Sequence, residues 1–279
     1  MQNQPSPLIL TFGMSDPVGA LGVQADLATF AAHGCHALSA ITGLLVADSA
    51  RVEDMLEIDT DWLVGQARVL LEDMPVAAFK VGALANVEQV TAIAEVVSDY
   101  PDAQLVIDPF LSSLPDSGLL DDDLVTAIRQ LLVPQASVLM LSQVELARIA
   151  ETWREGPSEG MLAQDVQELT GSGCQHVLVT GTAGSTPGMR SNTLFNSDGM
   201  LASFDWQHLP GPFVGAGSTL SAALTALMAH GELDMPDALK AAQDYTSGAL
   251  AHARRFGMGK YVPNKFFRID TLTSHHDHT

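Results

Sequence analysis

The sequence predicts an α/β fold on a mainly parallel sheet, and two observations carry that prediction. Short apolar runs alternate with longer segments of helical period, as strands and helices do when they take turns around a buried sheet. No internal repeat and no Pro/Gly-rich linker breaks the alternation over 279 residues, so one large domain is expected rather than two small ones.

Taken in order, the run over 8–13 reads as a buried strand. It leads through Ser15-Asp16-Pro17 into a helix over 21–33, where Leu21, Ala25, Ala28 and Ala32 share a face. A second buried strand covers 37–45. Trp62, Leu63, Ala67 and Leu70 mark a helix over 59–73, followed by a strand over 76–81, a helix over 87–97 and a strand over 104–107. Beyond Asp108-Pro109, a Ser/Pro/Gly/Asp-rich loop over 112–116 precedes a helix over 121–132, a strand over 137–141 and helices over 144–152 and 163–171. A strand over 175–180 is followed by an antiparallel hairpin, 192–195 with 200–205, turning at Asp198-Gly199. Helices over 217–230 and 236–255 end the domain, which is expected to span 1–270. The polar segment over 271–279 is expected to be a disordered tail rather than a metal site.

Composition narrows the function. With 47% hydrophobic and 16% charged residues, the chain is no disordered protein. Acidic residues outnumber basic ones 33 to 13, a net charge of -20 that disfavours nucleic acid and anionic membranes as partners. A phosphate ligand would need local devices: helix N-termini, backbone N–H groups or a metal ion. Cys35 and Cys174 are too few for a disulfide framework, which fits a reducing cytoplasm. The segment over 1–7 has neither the basic residues nor the apolar run of a signal peptide.

Ligands of open α/β sheets bind beyond the carboxyl ends of the strands. Gly13-Met14-Ser15-Asp16, Lys80-Val81-Gly82 and Asp108 each follow an apolar strand. The sharpest signal is Val214-Gly215-Ala216-Gly217-Ser218-Thr219, opening an apolar helix, where converging N–H groups and the helix dipole form an anion hole.

With those residues in view, the chain resembles the ribokinase-like small-molecule kinases, and within them the hydroxymethylpyrimidine/phosphomethylpyrimidine kinases of thiamine biosynthesis. The resemblance spans nearly the whole chain and rests on Ser15-Asp16-Pro17 with Gly22-Val23-Gln24-Ala25-Asp26-Leu27, Lys80-Val81-Gly82 with Leu84-Ala85, Val106-Ile107-Asp108-Pro109, Gly215 through Ala223, and Pro263-Asn264 with Phe266. It implies a three-layer α/β/α domain, usually dimeric, that uses ATP and Mg2+ to phosphorylate a small heteroaromatic alcohol or its monophosphate. It makes Gly215, Ala216, Gly217 and Ser218 the catalytic loop. Asp26, Gly22, Ala47, Ala83 and Phe110 become the substrate pocket, Thr180, Gly181 and Ser142 the nucleotide side, and Glu145 and Asp108 the metal side.

Several positions depart from the family pattern. Ser218 stands where the superfamily has Asp and the pyrimidine kinases commonly Cys. Ala47 replaces a pyrimidine-reading Gln, Ala83 a Met, Ser142 an Asn and Thr180 a Lys. A roomier, less polar pocket follows, and with it a pyridoxal-type kinase or a silent binding protein as alternatives. Plainer roles exist for the same residues: a surface-facing carboxylate for Asp26, a cap or turn for Asp16, an ion pair for Lys80, a first-turn hydroxyl for Ser218. His33 and His36 are expected as exposed turn residues, and Asp121-Asp122-Asp123 as a helix start.

Overall fold

The computed structural model describes residues 6–111, 122–150, 162–187, 189–207 and 209–269. The loop expected over 112–116, Asp121, the end of the helix expected over 144–152 and the tail over 271–279 lie outside the described residues.

Among the described residues, strands β1 (Leu8–Ser15), β2 (His36–Ala47), β3 (Val52–Glu57), β4 (Ala78–Val81), β5 (Gln104–Ile107), β6 (Val138–Ser142), β7 (Val177–Ala183), β8 (Met189–Asn196) and β9 (Gly199–Gln207) form one sheet in the order β3-β2-β1-β4-β5-β6-β7-β8-β9. β1, β2 and β4 through β7 are mutually parallel. β3 pairs antiparallel at one edge, β8 and β9 at the other. The order steps outward from β1 in both directions, to β2 and to β4, so β1 and β4 flank the switch point where ligands bind in such sheets.

The helices are α1 (Gly22–Ala32), α2 (Thr60–Asp73), α3 (Val87–Ser98), α4 (Asp122–Ala127), α5 (Gln143–Ile149), α6 (Leu162–Gly171), α7 (Ala216–His230) and α8 (Met235–Ala251). Strand side chains alternate between two faces, and each face has its own core. Leu10, Phe12, Phe79, Ile107 and Leu139 meet Leu63, Val90, Leu124, Leu146 and Val166 of α2 through α6. Val106, Val138, Met140 and Leu178 meet Leu220, Leu224, Leu239 and Tyr245 of α7 and α8, while Ile9 and Ala78 meet Phe30 of α1 and Ala222 of α7. The result is three layers with a mostly parallel sheet in the middle.

The structure corrects several boundaries. β3 was not expected: its Val-Glu-Asp-Met-Leu-Glu is exposed or half-buried throughout and lacks the apolar alternation of a core strand. The helix expected over 121–132 is α4 followed by a π-helical turn at Ile128–Leu132. β1 and β2 run two residues further than expected, β8 starts at Met189, and α8 stops at Ala251, where the chain turns to pair Arg254 with Val262. No described helix is long and apolar enough to cross a membrane.

Candidate active site

Two neighbouring cavities open at the carboxyl ends of the strands. The larger, about 290 Å³, lies over β5, β6 and β7 and includes Ala47, Asp108, Phe110, Ser142, Glu145, Thr180, Gly215, Ala216 and Gly217 in its wall. The smaller, about 20 Å³, lies beside β1 and β4 and is lined by Gly22, Lys80, Ala83, Asp108, Phe110 and Ser218 among others. Asp108 and Phe110 belong to both.

The start of α7, where an anion hole is expected, is set by glycine geometry. Gly215 sits at φ +86°, and a Cβ there would lie 2.0 Å from the Ala20 carbonyl oxygen, so only glycine fits. Thr219 locks the turn by donating both its backbone N–H (3.0 Å) and its hydroxyl (2.7 Å) to the Gly215 carbonyl. α2, α3, α5 and α8 are capped by Asp59, Asn86, Ser142 and Asp234 respectively. α1 and α7 have no side-chain cap, and both begin at the cleft. First-turn N–H groups, which have no partner within a helix, are thus left for a ligand where the dipole favours negative charge.

Burial and ion pairing act against each other on the charges of the cleft. Asp108 is 7% exposed and accepts a 2.7 Å hydrogen bond from the Ser221 hydroxyl. Burial pushes its carboxyl up to about 6, against the opposing pull of Lys80 and Ser221. Lys80 is buried, with its ammonium 3.0 and 3.1 Å from the two Asp26 oxygens. Glu145 faces the larger cavity while its Oε2 accepts from the Ser142 backbone N–H (2.8 Å) and hydroxyl (2.7 Å), a reciprocal cap that fixes the start of α5. Two carboxylates in one cavity suit Mg2+, which binds through one or two carboxylates together with phosphate oxygens and water. Among the described residues no group of three or more His, Cys, Asp or Glu side chains is arranged to hold a metal unaided.

The expected residues divide as follows. Gly215, Ala216, Gly217, Asp108, Phe110, Ala47, Ser142, Glu145 and Thr180 share the larger cavity, while Gly22, Ala83 and Ser218 join Asp108 and Phe110 in the smaller one. Asp26 and Gly181 line neither. Asp26 is no surface carboxylate: it is fully buried, accepts from Thr11 (2.7 Å) and pairs with Lys80, and burial raises its pKa despite both partners. Gly181 accepts at its carbonyl from Gln143 and Arg190. Ala47 and Ala83 face different cavities, and Met14, Leu45 and Phe110 pack into the space between. Asp16 accepts from the backbone N–H groups of Val18, Ala20 and Leu21 and so shapes the loop before α1.

Two cations in the larger wall, Arg51 and Lys260, escaped sequence reasoning. Arg51 follows a turn visible only once β3 is known. Lys260 sits in Gly257-Met258-Gly259-Lys260, where the paired glycines were the available signal: Gly259 passes so close to Ser49 and Ala50 that a Cβ would come within 2.4 Å of their backbone. The Lys260 N–H donates to the Ser49 carbonyl at 2.8 Å. Lys265 donates to the Gly19 carbonyl at 3.3 Å, and burial lowers its ammonium to about 8 against the pull of Asp26 and Asp16. Three of the four lysines therefore gather at the cleft end of the molecule.

Comparison with known proteins identifies the family and the fold. The profile of the family described as phosphomethylpyrimidine kinase matches residues 16–264. A hydroxymethylpyrimidine/phosphomethylpyrimidine kinase of Escherichia coli is 30% identical over 257 residues, 90% of this chain and 93% of the relative. Among solved structures, Bacillus subtilis pyridoxal kinase in complex with ADP superposes with a TM-score of 0.84 at 24% identity, covering 95% of this chain and 99% of that one. A phosphomethylpyrimidine kinase from Clostridium difficile gives 0.72 at 24% identity over 88% and 100%.

Proposed function

This chain belongs to the phosphomethylpyrimidine kinase family, a family of phosphotransferases, and from that premise we propose that it moves the γ-phosphoryl group of ATP onto 4-amino-5-hydroxymethyl-2-methylpyrimidine or its monophosphate. Most weight falls on one juxtaposition: the uncapped start of α7 faces the same cavity as the carboxylates of Asp108 and Glu145. Phosphoryl transfer runs through a loose transition state, so positioning and charge stabilisation do most of the work.

Each residue then has a task. The N–H groups at Gly215 to Gly217 receive the transferring phosphoryl oxygens, and Asp108 and Glu145 hold Mg2+. That ion, when bound, supplies positive charge against the phosphates. Ser218 contacts the reacting hydroxyl in the smaller cavity. It is a weak substitute for a carboxylate or thiol, and by general-base precedent turnover is lower by about 10² to 10⁴ than with a strong base. Asp26 serves one step back, holding Lys80 beside the smaller cavity. Lys260 and Arg51 supply the cationic charge that a protein of net charge -20 needs near a polyphosphate.

The protein acts as one domain over 1–270, in a cytoplasmic setting that suits its two buried free cysteines, and as a homodimer. Leu44 and Leu56 are cross-strand neighbours on β2 and β3, 43% and 61% exposed, and offer apolar surface for a second copy. Sedimentation equilibrium would show the wild type as a dimer and Leu44→Glu/Leu56→Lys as a monomer; a wild-type monomer would refute the dimer.

Mass spectrometry after incubation with Mg-ATP and a panel of hydroxymethylpyrimidine, its monophosphate, pyridoxal and pyridoxine tests the reading. A pyrimidine phosphate is expected. Pyridoxal phosphate alone would reassign the substrate, and no product despite ring binding would leave a silent binding protein.

A further inference from the structure

Phe110 stands out from every other described residue: at φ +53° it is the single non-glycine residue with positive φ. A bulky side chain holds that conformation only where its surroundings force it, and such positions concentrate at functional sites. Its surroundings are two small apolar clusters. On one side it packs with Met14, Leu45 and Ala83, on the other with Ala20, Leu21 and Val262. It is half-buried and forms part of the wall of both cavities.

The smaller cavity contains the polar groups that a reacting alcohol would meet, Asp108, Lys80 and Ser218, yet its volume of about 20 Å³ has room for about one water molecule. A substituted ring cannot enter while Phe110 stays where it is. We propose that Phe110 is the specificity-determining residue of this site: its side chain occupies the place of the substrate ring, and its displacement sets how large a ring is admitted. The proposal rests on the kinase reading above for its substrates, but the partition it describes can be probed by binding alone. Removing the side chain joins the two cavities and relaxes the size limit, while leaving the polar groups around Ser218 in place.

The test compares wild type, Phe110→Ala and Phe110→Gly; the glycine variant also removes the backbone conflict, which guards against a misfolded alanine variant. Calorimetry measures binding of hydroxymethylpyrimidine and of the bulkier pyridoxine, and steady-state assays with Mg-ATP measure kcat/KM for both. The preference for pyridoxine over the pyrimidine is expected to rise about tenfold in both variants, the scale on which a filled or emptied apolar subsite discriminates. A preference that stays within about threefold of wild type in binding overturns the proposal, as does failure of all three proteins to bind either ring. A shifted binding preference without phosphorylation would leave Phe110 as assigned and sink the kinase reading. Phosphorylation with an unmoved preference would do the reverse.

Discussion

Asp108 ties function to a stability penalty. Its carboxyl sits at about 6 because burial disfavours the charged form, whereas in the unfolded chain it titrates near 3.8. A raised pKa means that the folded state holds the proton more tightly, so the associated stability is present below about pH 4 and lost as pH rises through about 6. The full loss is about 3 kcal/mol. Urea unfolding of wild type and Asp108→Asn should therefore show the variant gaining on wild type across that window, while phosphoryl transfer falls by at least about 10². A stability difference that is flat with pH would refute the assignment. At Gly215, φ +86° and the 2.0 Å approach to Ala20 forbid a side chain. Gly215→Ala should cost about 2 to 3 kcal/mol by denaturant midpoint and abolish turnover through a displaced anion hole.

At the scale of elements, the cleft depends on a segment with almost no regular structure. After α8, residues 253–264 run along the cleft mouth: Arg254 pairs with Val262, Tyr261 exchanges backbone hydrogen bonds with Pro212 and Val214, and Lys260 donates to Ser49. The β2–β3 turn, the approach to α7 and the last turn of the chain are thereby fastened together. Gly259→Ala would wedge a methyl group against Ser49 and Ala50. We expect hydrogen exchange to accelerate at 48–51 and 258–262 and KM for ATP to rise, with a small change in melting temperature, because the two large core clusters lie elsewhere. Unchanged exchange at 48–51 would show that the segment does not hold the turn. Beyond the paired glycines, little of this was legible in the sequence, since charged β3 lacks a strand signal and the strap reaches the β2–β3 turn through bonds from Gly259 and Lys260 to Ser49, about 200 positions away. By contrast, α7 and its glycine-rich start were legible, because both the small residues and the apolar period are local.

The whole molecule carries -20, and an anionic substrate approaches against that field until it reaches the cleft. Exposed charges are felt to about 30 Å at 0.01 M salt and about 8 Å at 0.15 M. KM for ATP should accordingly fall severalfold as salt rises over that range, the opposite of a protein that binds phosphates through a basic surface. A KM that rises with salt would mean that Lys260 and Arg51 dominate the approach. The alternation of apolar runs and helical periods determined the α/β class, the order of most elements and the anion-hole helix, because each is encoded by side chains adjacent along the chain. The family motifs added the reaction. Only the tertiary structure decided that Asp26 turns inward to Lys80, that Phe110 separates two cavities and that Lys260 reaches the cleft. Those outcomes depend on distances between segments remote in sequence, and local residue patterns do not encode such distances.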